Sequence, residues 1–285
     1  MALQYENLVS KNDQSNNGGV RVLILDLVQP DSIEDAYKTL IKRKSNTVLG
    51  GCAFLRMSSK RIGTAIDLSK LNLNFIQERD DYIETGAMAT LRDIETNPVF
   101  NQYFCGVLPK SISNIIGVQF RNVATVGASV FSKYGFSDLL TALLVLDTEV
   151  ELYNGGSMLL EKFLDKSYEK DILTRVLIPK KDRKAAYQSL RNSASDYPIL
   201  NVAVSNINND WLIAVGARPL RAKIARKASD VLSQETLNVE KIEYAANKAA
   251  VELSFGTNTR GTAEYRKAIC KVLVKRAITE VLQCK

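Results

Sequence analysis

Apolar residues recur along this chain in two rhythms, one suited to strands and one to helices. Val20 to Val28 is a β-prone run, and Ile33, Ala36, Tyr37, Leu40 and Ile41 then follow at helical spacing, with Asp31 and Glu34 placed to cap their first turn. Thr47 to Leu49 returns to strand, so the order strand, helix, strand opens an α/β unit. Ala65 to Leu68 reads as another strand end, and Ile83 to Leu91 as a strand leaving through Gly86 into a helix capped by Thr90. Pro109 to Gly117 predicts a further helix. Val123 to Val126 predicts a short strand that breaks at Gly127-Ala128-Ser129, a turn able to offer backbone N–H groups to an anion such as phosphate. Ser137 then caps the apolar helix LLTALLVL, and strands follow at Thr148–Tyr153 and Leu173–Pro179, the first of them ending at a Gly155-Gly156 turn.

The pattern changes at KKDRKAA (180–186), polar enough for a linker, which places a domain boundary near Asp182. The chain then divides into an N-terminal arm (1–19), flexible by composition, a domain at 20–182 with subdomains of about 20–75 and 76–182, and a C-terminal domain at 183–285. Strands at 199–205 and 210–217 suggest a small antiparallel sheet, and three amphipathic helices come after it.

With 285 residues, 46% of them hydrophobic, the chain is large enough for two domains with real cores. No apolar run approaches the roughly 20 residues of a membrane helix, and the opening MALQYENLVSKNDQSNN is too polar for a signal peptide. The expectation is a cytoplasmic protein with no membrane contact. Cys52, Cys105, Cys270 and Cys284 are scattered, without C-x-x-C spacing and without a histidine anywhere in the chain. That excludes a zinc finger, argues against a metal or iron–sulfur site in this chain, and predicts four reduced thiols. It also removes the commonest general base, so no residue is singled out as catalytic and any hard chemistry falls to a cofactor. The net charge of +7 concentrates in RPLRAKIARKAS (218–229) and YRKAICKVLVKRA (265–277). Both read as amphipathic helices facing solvent or an acidic partner, and the absence of a stacking-aromatic pattern argues against nucleic acid.

Several motifs, in order, carry a resemblance. Gly50-Gly51-Cys52-Ala53-Phe54-Leu55 is a diglycine turn after a strand, without the G-x-G-x-x-G of a Rossmann fold or the G-K-[ST] of a P-loop. AIDLSKL, the segment Ile83–Leu91, Arg121-Asn122, Ala124-Thr125-Val126-Gly127 and Ser137-Asp138-Leu139 follow it, then YQSLRNSASDYPILNVAVS and GTNTRGTAEYRKAICKVLVKRAI. From about residue 20 to 282 the chain resembles the flavin-binding subunit of the molybdenum hydroxylases, the xanthine dehydrogenase family. The resemblance implies an α+β fold: two α/β subdomains of a molybdopterin-dehydrogenase-type FAD-binding domain, plus a C-terminal domain with a short antiparallel sheet and helix bundle like that of the CO dehydrogenase flavoprotein.

It also implies a role. FAD here would collect electrons from a separate iron–sulfur small subunit, fed by a molybdenum-cofactor (molybdopterin) large subunit, and pass them to NAD(P)+ or another acceptor. The expected FAD contacts are backbone amides at Gly50, Gly51, Cys52 and Ala53 and at Gly127, Ala128 and Ser129, hydroxyls of Thr125, Ser129 and Ser132, and the carboxylate of Asp138. Val48, Leu49, Phe54 and Leu173 could line a ring slot or serve as ordinary core. Gln188 stands where the family often has a lysine near the flavin. Cys52, Ala53, Ala128, Ser129 and Gln188 depart from the family pattern, and a methyl at Ala128 would cost about 1 kcal/mol if that position needs positive φ. A second hypothesis follows from these departures: a non-catalytic assembly subunit of the same family that has weakened or lost FAD.

Overall fold

The computed structural model describes residues 22–234 and 237–284. The predicted arm and the start of the Val20–Val28 run lie outside these residues. The first sheet is parallel, with β1 (Leu23–Val28), β2 (Thr47–Val48) and β3 (Arg61–Ile66) in the order β1-β3-β2. Helix Ile33–Lys42 crosses from β1 to β2 and buries Ala36 and Leu40 against Ile66 and Leu68. Its cap is Ser32, whose hydroxyl accepts from the Asp35 N–H at 3.1 Å, and not the expected Asp31 and Glu34 pair. Glu34 and Asp35 instead place negative charge in the first turn, where the helix dipole favours it.

The second sheet contains β4 (Ile76–Glu78), β5 (Tyr82–Gly86), β6 (Glu149–Leu152), β7 (Gly156–Leu159) and β8 (Leu173–Pro179), antiparallel in the order β4-β5-β8-β6-β7. Short helices fill the interval between β5 and β6. The helix expected at Pro109–Gly117 lies earlier, at Val107–Ile112. The strand expected at Val123–Val126 does not form. Thr125 caps a helix, Val126–Phe131, because Val126 and Val130 lie one helical turn apart and both bury, which outweighs their β-propensity. Helix Asp138–Leu144 forms with Ser137 as its cap, and every one of its residues is buried.

The third sheet, β9 (Lys184–Arg191), β10 (Pro198–Ile207), β11 (Asp210–Gly216) and β12 (Lys223–Ile224), is antiparallel in the order β12-β11-β10-β9. β9 thus begins inside the stretch read as a polar linker. Arg183 just before it is buried, ion-paired with Asp147 at 3.0 Å and Asp210 at 2.9 Å. Strand alternation gives this sheet two buried faces. Ala185, Tyr187, Ala203 and Ala214 join the core of the second sheet, whereas Ala186, Val202, Val204, Ile213 and Val215 pack with helices Arg226–Ser233, Val239–Glu252 and Ala263–Gln283. Together these layers make the expected α+β architecture.

Three details correct the sequence reading. The basic stretch 218–229 is helical only from Arg226 onward. Arg226 pairs within the chain with Glu161, and Lys275 with Glu243 at 2.9 Å, so part of the basic surface is already neutralised. Cys105 and Cys284 form a disulfide across 179 residues of sequence, leaving Cys52 and Cys270 as the free thiols among the described residues. No described helix is long and apolar enough to cross a membrane.

Candidate functional site

β2 runs into the diglycine turn, where Gly51 has φ +80° and Cys52 φ 57° before helix Ala53–Arg56 begins. Only glycine fits at Gly51, since a Cβ there would lie 2.1 Å from the Val123 carbonyl oxygen. A Cβ at Gly50 would lie 2.5 Å from the Ala128 methyl and 2.8 Å from Thr125 Oγ1. The two glycine-containing segments predicted from sequence therefore touch. Leu49 donates its N–H to Ile66 O at 2.9 Å, but the N–H groups of Gly51, Cys52 and Phe54 make no hydrogen bond within the described residues. Successive amides on a left-handed backbone form a concavity suited to an anion.

The second segment behaves differently from expectation. Val126 N–H bonds Ala89 O at 2.8 Å, Gly127 N–H bonds Ala87 O at 2.8 Å, Ala128 N–H bonds Thr125 Oγ1 at 3.2 Å, and Ser129 N–H bonds Thr125 O at 3.0 Å. These amides are satisfied inside the chain, so this segment is the first turn of a helix and not an amide-presenting loop. Ala128 is absent from the positive-φ positions, and its methyl carries no backbone strain. Ser129 Oγ donates to Thr125 O at 2.9 Å and Ser132 Oγ to Ala128 O at 2.6 Å, which leaves both hydroxyls as acceptors only.

Asp138 sits in the first turn of its helix, buried, with three groups converging on Oδ1. The Tyr187 hydroxyl donates to it, Asn201 Nδ2 donates at 3.1 Å, and Arg191 Nη2 stands 2.8 Å away as an ion pair off the hydrogen-bond axis. No hydrogen bond among the described residues reaches Oδ2. Burial, reinforced by the Asp138 charge, pushes the Tyr187 phenol well above its ordinary value. For Arg191 burial acts downward, yet the Asp138 charge prevails and holds the guanidinium up.

Gln188 does not join this group. Adjacent strand residues point to opposite faces, and Gln188 Nε2 donates to Glu280 Oε2 of the closing helix at 2.5 Å. Leu173 is enclosed in the core of the second sheet, and Val48 packs on the core of the first. Leu49 is half-buried. Burial raises the Cys52 thiol, which keeps it a neutral neighbour of the turn.

Phe54 leads to a group of rings that the sequence reading left unused. Its centroid lies 4.9 Å from Tyr134, 5.5 Å from Phe136 and 6.2 Å from Tyr197. Tyr134 and Phe136 stack at 5.0 Å with an interplanar angle of 11°, Phe136 meets Tyr197 at 4.7 Å, and the Arg260 guanidinium covers Tyr197 at 5.0 Å. The available signal was the sequence Tyr134-Gly135-Phe136 immediately before the Ser137 cap.

A family model described as the FAD binding domain in molybdopterin dehydrogenase matches residues 23–181. The chain belongs to that family. A second model, the CO dehydrogenase flavoprotein C-terminal domain, matches residues 185–281. The nicotine 6-hydroxylase medium subunit of Paenarthrobacter nicotinovorans is 28% identical over 270 residues, covering 88% of this chain and 95% of that one. The glyceraldehyde dehydrogenase medium chain of Sulfolobus acidocaldarius is 24% identical over 277 residues, covering 89% and 97%. In fold, a chain of the Cu,Mo-CO dehydrogenase in its cyanide-inactivated form aligns with TM-score 0.84 and 21% identity over 92% of this chain and 99% of that one. Quinoline 2-oxidoreductase from Pseudomonas putida 86 gives 0.81 and 20% over 90% and 96%. Membership makes FAD the cofactor and an oxidoreductase complex the setting.

Proposed function

We propose that this chain holds FAD between the Gly50–Phe54 turn and Asp138 and relays electrons from an iron–sulfur subunit to NAD(P)+ or another acceptor. The observation that carries the reading is the run of unbonded amides at Gly51, Cys52 and Phe54 on a left-handed turn, a donor set that fits a diphosphate. When bound, FAD supplies the two-electron redox chemistry. The protein's own residues bind and orient. Gly51 lets the turn lie directly on the Val123 carbonyl, Asp138 Oδ2 is available to accept from a hydroxyl or ring N–H, and Arg191 places a compensating positive charge beside that carboxylate. No side chain of this site is required as a general acid or base. The names of the relatives, a medium subunit and a medium chain, support a place beside a molybdenum-cofactor large subunit and an iron–sulfur small subunit.

A second reading, an assembly subunit with weakened FAD binding, is favoured by the internally satisfied amides of residues 126–129. Absorbance of the purified protein, before and after incubation with FAD and desalting, separates the two. Flavin bands at about 370 and 450 nm near one equivalent support the electron relay. A folded protein that stays colourless in excess FAD overturns it.

A further inference from the structure

We propose that residues 1–9 of this chain dock as a short amphipathic helix on the bare face of β1, covering Leu23, Leu25 and Leu27. Docking there is independent of the FAD reading. β1 is the outermost strand of a parallel sheet, in the order β1-β3-β2. Successive strand residues point to opposite faces. On one face Val28 and its parallel neighbour Ile66 pack with Ala36 and Leu40 of helix Ile33–Lys42. On the other, Leu23, Leu25 and Leu27 are 45%, 62% and 60% exposed, and none of them joins that core. Three aligned leucines left in water are unusual for a parallel sheet, whose faces are ordinarily both covered.

The occupant is set by what lies directly ahead of the strand. The family match begins at Leu23, so residues 1–22 precede the matched domain. They divide in two. SKNDQSNNGG (10–19) is polar and ends in a diglycine that frees the backbone to reverse. Ahead of it, Met1, Ala2, Tyr5, Leu8 and Val9 fall at positions i, i+1, i+4, i+7 and i+8, while Gln4, Glu6, Asn7 and Ser10 take the remaining side. On a helix that spacing gathers the apolar residues, Leu3 excepted, on an arc of about 120°. So short a helix is not stable alone in water, and this one forms only where its apolar arc is buried. The lengths agree. The strand Leu23–Val28 runs about 20 Å and a helix over residues 1–9 about 13.5 Å. Residues 10–22, extended, reach at most about 45 Å from the start of β1, ample to fold back along it. The tether also raises the local concentration of the arm above that of a free partner for the same face.

The test is hydrogen exchange by mass spectrometry on the full chain and two variants, one on each side of the contact. Far-UV circular dichroism is the fold control, and light scattering gives the mass. In the wild type, amides at 2–9 should exchange roughly tenfold or more slowly than those at 11–18. Leu8→Asp, in the arm, and Leu25→Asp, on the strand, should each bring residues 2–9 up to the rate of 11–18. Leu8→Asp should also quicken exchange at 23–28, and it carries the test if Leu25→Asp does not fold. Free exchange at 2–9 in the wild type overturns the proposal. So does protection that survives Leu25→Asp, which would seat the arm elsewhere. A dimeric mass with protection lost on dilution overturns it too, by putting a second copy on the face.

Discussion

The phenol of Tyr187 donates to the carboxylate of Asp138, tying the first residue of helix Asp138–Leu144 to strand β9 of the C-terminal sheet. The same oxygen of Asp138 faces Arg191 and Asn201, so one buried carboxylate holds helix Asp138–Leu144 and the C-terminal sheet in register. Asn201 is fixed in turn by Thr141, whose hydroxyl lies 2.9 Å from Asn201 Oδ1 on the same helix as Asp138.

Asp138→Ala should be strongly destabilising, because it strands a buried guanidinium and a buried phenol. The expected loss is about 3–5 kcal/mol, the usual cost of removing one member of a buried ion pair. Asp138→Asn keeps a hydrogen-bond acceptor for Tyr187 and should lose about half as much. Urea unfolding followed at Trp211, buried in the C-terminal core, reads both. Equal stability of Asp138→Ala and wild type would mean that the network does not hold the helix and the sheet together.

Ala128 gives a prediction whose sign depends on its backbone. The residue is helical, so Ala128→Gly should cost about 1 kcal/mol, as glycine does inside a helix. At a left-handed position the same change would stabilise. Gly51→Ala, by contrast, combines positive φ with a 2.1 Å clash against Val123 O and should displace the turn. A drop in FAD affinity of at least 100-fold with retained secondary structure is the expected result, checked by flavin fluorescence titration and circular dichroism.

Much of this was legible in the residues. Leu173–Pro179 forms a strand at its predicted bounds, and Ser137 and Thr90 both cap helices, because short polar caps beside apolar runs are local signals. The failures are nonlocal. Val123 to Val126 has strand propensity, yet a Thr cap and the burial of Val126 with Val130 select a helix, a choice made by packing partners such as Ala87 and Ala89. Gln188 was placed near the flavin by motif position, but strand parity sends it to the opposite face from Tyr187. The Cys105–Cys284 bond joins segments too far apart in sequence to leave a spacing signature.

Lys170 reaches from the second sheet's side to the first subdomain, donating to Leu40 O at 2.9 Å, Arg43 O at 2.5 Å and Asn46 O at 3.0 Å. These carbonyls belong to the end of helix Ile33–Lys42 and the turn after it, where intrahelical partners run out. Lys170→Met should remove all three bonds and destabilise by about 1–3 kcal/mol. Hydrogen exchange should quicken locally, at residues 40–48, while the C-terminal sheet keeps its protection. Uniform exchange across the molecule would show that Lys170 does not clasp this subdomain.

Lys133 supplies the pH dependence. Its ammonium is buried over the Phe163 ring at 4.0 Å and donates to Phe163 O at 2.5 Å and Lys166 O at 2.9 Å. Burial, aided by the positive charges of Arg221 and Lys166 and opposed by Asp165 and Glu169, lowers its pKa from 10.5 to about 8. A base whose folded value is depressed loses stability by carrying its proton. Below about pH 8 that penalty is complete, and between about 8 and 10.5 the unfolded chain binds more proton than the folded one, so this group's contribution to stability rises with pH. Lys133→Met removes the titration together with the two carbonyl bonds. The melting temperature of wild type minus that of Lys133→Met should therefore become more positive from pH 7 to pH 10, most steeply above about pH 8. Taking the difference cancels the titration of other lysines common to both proteins. A difference that stays flat across that range would mean that Lys133 titrates near its ordinary value and that the two carbonyls stabilise its charge fully.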